Sequence, residues 1–544
     1  MDIAAQGGLA GLARTVDWPK ALTWTAVASV VAYGLLLALF SLPGYPHAVH
    51  GGMHMPFLLD KPVGEDGFYM LLVAWNMALG KGIVGNFDQA VTGIQPLATF
   101  VYAALAKGVL LAGGDKSTFV RAVIAFGTLN LLWFAHLLGL LAKSLVGGRD
   151  ATQVTQRQAY LLAVAMTALS FHAFRTFTYG LETGMYLLLF AQVVRMSFAY
   201  VGRPPDTPWC HQNVVMGLMV GVTALARVDF IVVFAGFAAL ALWNRAARWQ
   251  NVCVVGVVAA FVFLPWPVHV WQVSGSPIPS SGPAQGALIT LSAAPERLAM
   301  MGHALVQNLL PGLFTNSRWE VALVSVLVMA LAWPWRDRQL PGQNQRVARW
   351  WWLTLFFLAA VYVLCIWATH FYARYTAPLM VLAVPLAAAS LANRLAGPRA
   401  KQATVCVVAA SGVAFLAFTL FVMHRGKLGN PHIISAGVVH ERYAHVAQVG
   451  AFQSGVVGFD NTNVVNLDGK VNTAVLPYVK RGNIDAYLLA HPEIGVLIDW
   501  PRYIHTYVSD AHLAQHWRPC AQGVPEGISV CYERVAPARA HGTP

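Results

Sequence analysis

Glu65 and Asp66 stand side by side in the segment Val63-Gly64-Glu65-Asp66-Gly67-Phe68-Tyr69, at the start of an apolar run. A carboxylate held at a membrane face can take a proton from an acceptor hydroxyl while a leaving group departs. A neighbouring carboxylate raises the pKa of one member of the pair, and partial burial adds to the effect, moving a base towards neutral pH. The same pair suits a helix N-terminus, where Asp caps free N–H groups and the dipole favours negative charge. A cap requires one acid, so the pair stands for both roles, with Asp66 as base and Glu65 tuning or replacing it. Arg374, Arg227, Arg175 and Arg318 fall at the expected outer ends of apolar spans, where orientation statistics disfavour cations. A guanidinium there can stabilise a departing phosphate or snorkel to the interface along its own stem. Glu182 opens a further span; it meets the helix dipole, holds an arginine in place or accepts from a sugar hydroxyl. Tyr179, His370 and Tyr372 suit sugar stacking or hydroxyl contacts, although aromatic residues are common at any membrane interface.

These side chains need a scaffold, and composition says which kind. Of 544 residues 57% are hydrophobic and only 11% charged, with a mean hydropathy of +0.55. So few charges cannot cover a water-soluble surface, which carries about 25% charged residues. A cytosolic enzyme, a disordered chain and a coiled coil are excluded. The net charge of +13 lies mostly in loops flanking apolar runs, where membrane orientation requires it, so it does not point to nucleic acid. Spans are expected near 21–42, 118–142, 158–172, 181–200, 212–227, 229–244, 251–271, 320–335, 350–368, 373–393 and 403–423, about eleven in all. The first exceeds a signal-peptide core in length and follows Arg14 and Lys20, so it reads as an uncleaved anchor with a cytoplasmic start. Two further stretches, Asp66–Gly80 and Gln95–Ala112, are interrupted by Asn76 and by Lys107. They read as interfacial helices of the first outer loop, because that choice puts Lys143, Arg149, Arg157 and every later basic loop on the cytoplasmic side.

The transmembrane module is expected over 1–424, and residues 425–544 as an outer α/β domain with short strands such as Gly455–Phe459 and Ile494–Ile498. Cys520 and Cys531 flank a turn-rich connection and either pair across a hairpin in an oxidising compartment or stay as two buried thiols. The chain has six cysteines, too few and too scattered for a disulfide framework. His47, His50 and His54 invite a zinc reading, but no local carboxylate or Cys completes a site. No metal or other cofactor is expected. Asp468 and Asn472, with Asp460-Asn461, either reach back towards the membrane module or make turns.

Ordered pieces of the chain resemble a known family. Glu65-Asp66-Gly67-Phe68-Tyr69, Asn76 and Gly80-Lys81-Gly82-Ile83-Val84-Gly85-Asn86 resemble the "D-D-A-Y … A-x-N-L-x-x-G-x-G-L-V-x-N" loop of GT-C glycosyltransferases. Gly180-Leu181-Glu182-Thr183-Gly184-Met185-Tyr186, Ala226-Arg227-Val228-Asp229 and Arg374-Tyr375-Thr376-Ala377-Pro378-Leu379 resemble its later motifs, and Val465–Asn472 resembles its "D-L-D-G-L-V-N" segment. Within that family the pieces resemble the group including the mycobacterial terminal arabinofuranosyltransferase. The resemblance implies a GT-C-like polytopic enzyme of the bacterial inner membrane with a periplasmic C-terminal domain. It implies a polyprenyl-phosphate sugar as donor, a cell-envelope glycan or glycolipid as acceptor, and the first-loop carboxylate as base. Gly93-Ile94-Gln95-Pro96-Leu97 stands where related lipid A aminosugar transferases carry Glu-Lys-Pro-Pro, so their second acid, and with it their case for a metal, is missing. The rival class is a transporter or flippase of a lipid-linked saccharide, which places ionisable groups mid-span in inverted repeats. A polysaccharide ligase would use similar residues and release a lipid diphosphate.

Overall fold

In the computed structural model the first-loop acids sit at the start of a helix, Glu65–Ala78, that is almost wholly buried. The structure describes residues 18–39, 63–146, 153–201, 211–284, 291–309, 342–365, 372–394, 431–521 and 529–535, with positions 409, 412–413 and 524. The second expected first-loop helix runs Pro96–Leu111, with Pro at its first turn, where a missing N–H is no loss. Its 16 residues reach ~24 Å, short of a ~30 Å hydrocarbon layer. The helix Lys116–Leu145 follows, capped by the Asp115 carboxylate, which accepts from Thr118 N–H at 2.8 Å.

Among the described residues four helices are long and apolar enough to cross a membrane: Lys116–Leu145, Thr183–Val201, Asn344–Cys365 and Ala373–Asn393. Two bent pairs raise this to six: Gln153–Ala168 with Phe171–Thr178 at 64°, and Trp249–Phe263 with Pro265–Ser274 at 40°. The first break lies where Ser170 caps a new helix and the second at Pro265, which cannot continue the hydrogen-bond ladder. The expected spans 212–227 and 229–244 appear as the shorter helices His211–Ala226 and Phe230–Trp243. The number of long apolar helices among the described residues is thus smaller than the eleven spans expected. The expected spans at 320–335 and 403–423 lie outside the described residues or nearly so, as does the 424/425 boundary. The membrane module packs around large aromatics: Trp351 stacks on Phe237 at 4.2 Å, meets Phe190 edge-on at 5.3 Å, and donates its indole N–H to Ser197 at 2.9 Å.

Beyond Pro431 the described chain forms a five-stranded sheet of order β2-β1-β3-β5-β4. β1 is Gln448–Ala451, β2 Val464–Asn466, β3 Ile494–Asp499, β4 Trp517–Pro519 and β5 Val530–Arg534. β1 pairs in parallel with β2 and β3, whereas β3–β5 and β5–β4 are antiparallel. The expected strand at Ile494–Ile498 is present, but the one at Gly455–Phe459 is wrong. That run is a helix, Gly455–Asp460, packed against the first-loop helix with Phe459 5.1 Å from Phe68. A short apolar run carries no period that separates strand from helix. Here tertiary contact decides, because the backbone N–H groups of Gly455 and Val456 are satisfied by Glu65.

Cys520 and Cys531 are disulfide-bonded, their Cα atoms 5.4 Å apart across the β4–β5 hairpin. The bridge spans a sequence separation of 11. Closing so short a loop in the unfolded chain contributes about 3 kcal/mol. The double replacement Cys520→Ser/Cys531→Ser is expected to lower stability by that amount, read as the shift of the denaturant midpoint of the full chain. An unchanged midpoint contradicts the bridge.

Candidate functional site

A cavity of about 310 Å³ lies between the ends of the membrane helices and the C-terminal sheet. Asp66 and Tyr69 of the first-loop helix line it, with Glu182, Arg227, Asp229, Tyr362, Arg374, Tyr375 and Lys470. Three elements meet here: the first-loop helix, the span ends, and the Asp468–Lys470 turn after β2. The turn is an Asx turn in which the Asp468 carboxylate accepts from Lys470 N–H at 2.9 Å and pairs with its ammonium at 3.0 Å. It is held down by Ser280 Oγ, which donates to Lys470 C=O at 2.8 Å. A Cβ on Gly93 would fall 1.8 Å from that same carbonyl, so only glycine permits the approach.

The two adjacent acids have separate fates. Asp66 faces the cavity and pairs with Arg374 at 3.6 Å. Glu65 points the other way, into the C-terminal domain, accepting from Gly455 N–H and, at 2.9 Å, from Val456 N–H. Burial pushes the Glu65 carboxyl up to about 8; its backbone hydrogen bonds oppose this, and the Asp66 charge adds only a smaller push. The sequence expectation placed the neighbouring charge first, whereas burial dominates.

Arg227 is 5% exposed and already engaged. Its Nε and Nη2 donate to the two oxygens of Asp229 at 3.2 and 2.5 Å, Tyr362 hydroxyl donates to the same carboxylate, and Nη1 lies 3.7 Å from Glu182. Glu182 thus lies beside an arginine and also immediately precedes the helix Thr183–Val201. The ring of Tyr375 stacks 5.0 Å from the guanidinium on one side and Tyr186 5.3 Å on another.

The remaining candidates scatter. Arg175 is exposed, lies 5.3 Å from the Tyr179 ring and does not line the cavity. Tyr179 packs under the first loop, where Gly64 donates to its carbonyl at 3.1 Å. Asn472 is fully buried in a turn, donating to Asn466 C=O at 2.8 Å. Tyr372 lies in the short helix Tyr372–Thr376. Arg318, His370 and the histidines at 47, 50 and 54 lie outside the described residues. Among the described residues no three His, Cys, Asp or Glu side chains group as a metal site. Sequence reasoning missed Lys470, Asp229, Tyr362 and Tyr375 as cavity residues. Lys470 had a signal, since it occupies the Leu position of the resembled D-L-D-G-L-V-N segment.

No protein-family model and no curated protein matches the chain. Solved structures do. The chain is similar to ArnT from Cupriavidus metallidurans, crystallised bound to undecaprenyl phosphate, with 12% identity and a TM-score of 0.57 over 95% of this chain and 98% of that one. It is also similar to the oligosaccharyltransferase AglB of Archaeoglobus fulgidus, solved with an inhibitory peptide and a dolichol-phosphate. There the identity is 10% and the TM-score 0.54, over 96% of this chain and 75% of that one. Both have the GT-C fold, and this chain is a multi-pass helical membrane protein of the same fold. Neither likeness singles out the mycobacterial arabinofuranosyltransferase group.

The Arg227 cluster yields a stability test. Arg227→Met strands the carboxylates of Glu182 and Asp229, of which Glu182 is 5% exposed, and is expected to destabilise the protein by about 3–5 kcal/mol. Thermal unfolding of the full chain in detergent checks this, and an unchanged midpoint contradicts the cluster.

Proposed function

We propose that this GT-C chain transfers a sugar from a polyprenyl-phosphate donor to a cell-envelope glycan or glycolipid acceptor at the outer face of a bacterial inner membrane. The observation that carries the reading is the arrangement around Asp66. Its carboxylate lines the cavity beside Arg374, Lys470 lines the same cavity, and Glu65 is turned away. The fold likeness to a transferase crystallised with undecaprenyl phosphate supports the donor class.

In this reading the donor lipid lies in the bilayer and its phosphate enters the cavity between Arg374 and Lys470. Asp66 accepts the proton of the acceptor hydroxyl. The acceptor oxygen forms a bond to the anomeric carbon as the carbon–oxygen bond to phosphate breaks. The bonding pair leaves with the polyprenyl monophosphate, whose charge the guanidinium and the ammonium offset. Arg227 already has Asp229, Glu182 and Tyr362 as partners and acts mainly to brace the wall that carries Asp229 and Tyr362. No cofactor enters the scheme. The turn after β2 supplies Lys470 to the cavity.

The test uses the full chain in lipid nanodiscs with a synthetic polyprenyl-monophosphate sugar, following release of polyprenyl monophosphate and formation of the glycosidic bond. Asp66→Asn is expected to lower the rate by about 10²–10⁴-fold with an unchanged thermal midpoint, and Arg374→Met to weaken transfer as well. Wild-type rates in Asp66→Asn overturn the assignment of the base. Release of a lipid diphosphate identifies a ligase, and lipid translocation without a new glycosidic bond identifies a flippase.

A further inference from the structure

Five consecutive backbone N–H groups, Phe452 to Val456, donate to side-chain oxygens. Phe452 and Gln453 donate to Asp499 at 2.8 and 2.7 Å, and Ser454 to the Tyr69 hydroxyl at 3.1 Å. Gly455 and Val456 donate to the two oxygens of Glu65. This run leaves the carboxyl end of β1, and Asp499 ends β3. Between β1 and β3 the strand order reverses, since the chain goes from β1 to β2 on one side and to β3 on the other. An open α/β sheet accepts its ligands at that crevice. Here the crevice is filled from within the same chain, by two residues on one face of the first-loop helix.

We infer that Glu65 is a positioning residue. Its carboxyl group is the internal ligand of the switch-point crevice, and by docking there it fixes Asp66 in the cavity and brings Lys470 to face it. This rests on the transferase reading above for its consequence, and on the hydrogen bonds alone for its geometry. The fit is tight: a Cβ on Gly455 would lie 2.2 Å from Glu65 C=O. Tyr69, one turn on, strengthens the same grip through its hydroxyl, which also donates to Phe452 C=O at 3.3 Å. Asp66 leaves the helix on a different side, so a shift of the docked helix moves it relative to Arg374 and Lys470 together.

Docking carries a pH signature. The groups facing Glu65 are Asp66 on its own helix, His432 at 3.8 Å from the Pro431–Arg442 helix, Lys470 from the turn, Asp499 from β3, and Tyr69. Burial outweighs the favourable bonds, raising the docked carboxyl from 4.5 to about 8. The docked form therefore holds a proton that the undocked form releases between those values. Docking is strongest at the acid end of this window and weakens as pH rises through it to about 8.

The experiment follows amide hydrogen exchange at residues 452–456 in the full chain in nanodiscs, with sugar transfer measured on the same samples. Glu65→Ala is expected to lower protection of Gly455 and Val456 by about 10–100-fold and transfer by about 10-fold. Glu65→Gln keeps one acceptor oxygen and is expected to retain intermediate protection and most of the transfer rate. Wild-type protection, corrected for intrinsic exchange, is expected to fall between pH 6 and pH 9, and that of Glu65→Gln to stay flat. Should Glu65→Ala fail to fold, Glu65→Gln carries the test alone. Wild-type protection in Glu65→Ala, or an unaltered pH response in Glu65→Gln, overturns the inference. Loss of all transfer in Glu65→Gln with protection kept also overturns it, because that marks Glu65 as the base. Exchange that responds as expected in a protein with no transfer activity upholds the docking role and rejects the transferase reading.

Discussion

The site depends on one contact between distant parts of the chain: the first-loop helix gripping the loop after β1. Glu65, Tyr69 and Phe68 are the helix residues that make it, and Asn86 extends it by donating to Gly458 and Val464 carbonyls, both at 3.0 Å. Backbone donors in this loop cannot be met by strand pairing, because β1 has ended. An unmet buried N–H is expensive, so the side chains that satisfy them fix where the helix sits. The chemistry-bearing face of the helix then follows from its turn geometry, since residues one position apart point to different sides.

That constraint organises charge in a largely buried space. The two arginines of the cavity wall enter pairs of different character. Arg227 is enclosed by Glu182, Asp229, Tyr362 and two aromatic rings, a closed cluster whose integrity matters to folding. The Arg374–Asp66 pair is looser at 3.6 Å, with both side chains about one fifth exposed, and is open to the cavity. A pair that is incompletely desolvated can exchange its partner for an arriving anion at lower energy than a buried, bidentate one. The two arginines therefore differ in side-chain exposure, although both sit at span ends.

Several of these features are legible in the order of the amino acids alone. The aromatic and aliphatic runs predict the helices Lys116–Leu145, Thr183–Val201 and Gly342–Cys365 within a few residues, or about two turns at the start of the last, because a long apolar run has no other stable form in a membrane. The broken run from 158 onwards is harder to read. Its second half turns by 64° after Ser170, and a local cap carries no information about the angle of the new helix. Helix Ala294–Leu309 lies outside the expected spans, its apolar positions being interrupted by Glu296, Arg297, His303, Gln307 and Asn308. Among site residues, Asp66, Arg374, Arg227 and Glu182 stand out by chemical type at span ends. Asp229 closes the resembled segment Ala226-Arg227-Val228-Asp229 without being singled out as a site residue, and Tyr362 lies within the expected span 350–368.

Sequence by itself determined the membrane class, the helical scaffold and the acid pair at the start of a first-loop helix, because hydropathy and charge act locally and leave a mark on composition. Only the tertiary structure decided that the paired acids serve different neighbours, that Gly455–Asp460 is helical, and that Lys470 enters the cavity. Each of these turns on a hydrogen bond or close approach between residues more than 300 positions apart. Such contacts are chosen by which backbone donors remain unmet and which glycine leaves room, and neither quantity exists until the chain has folded.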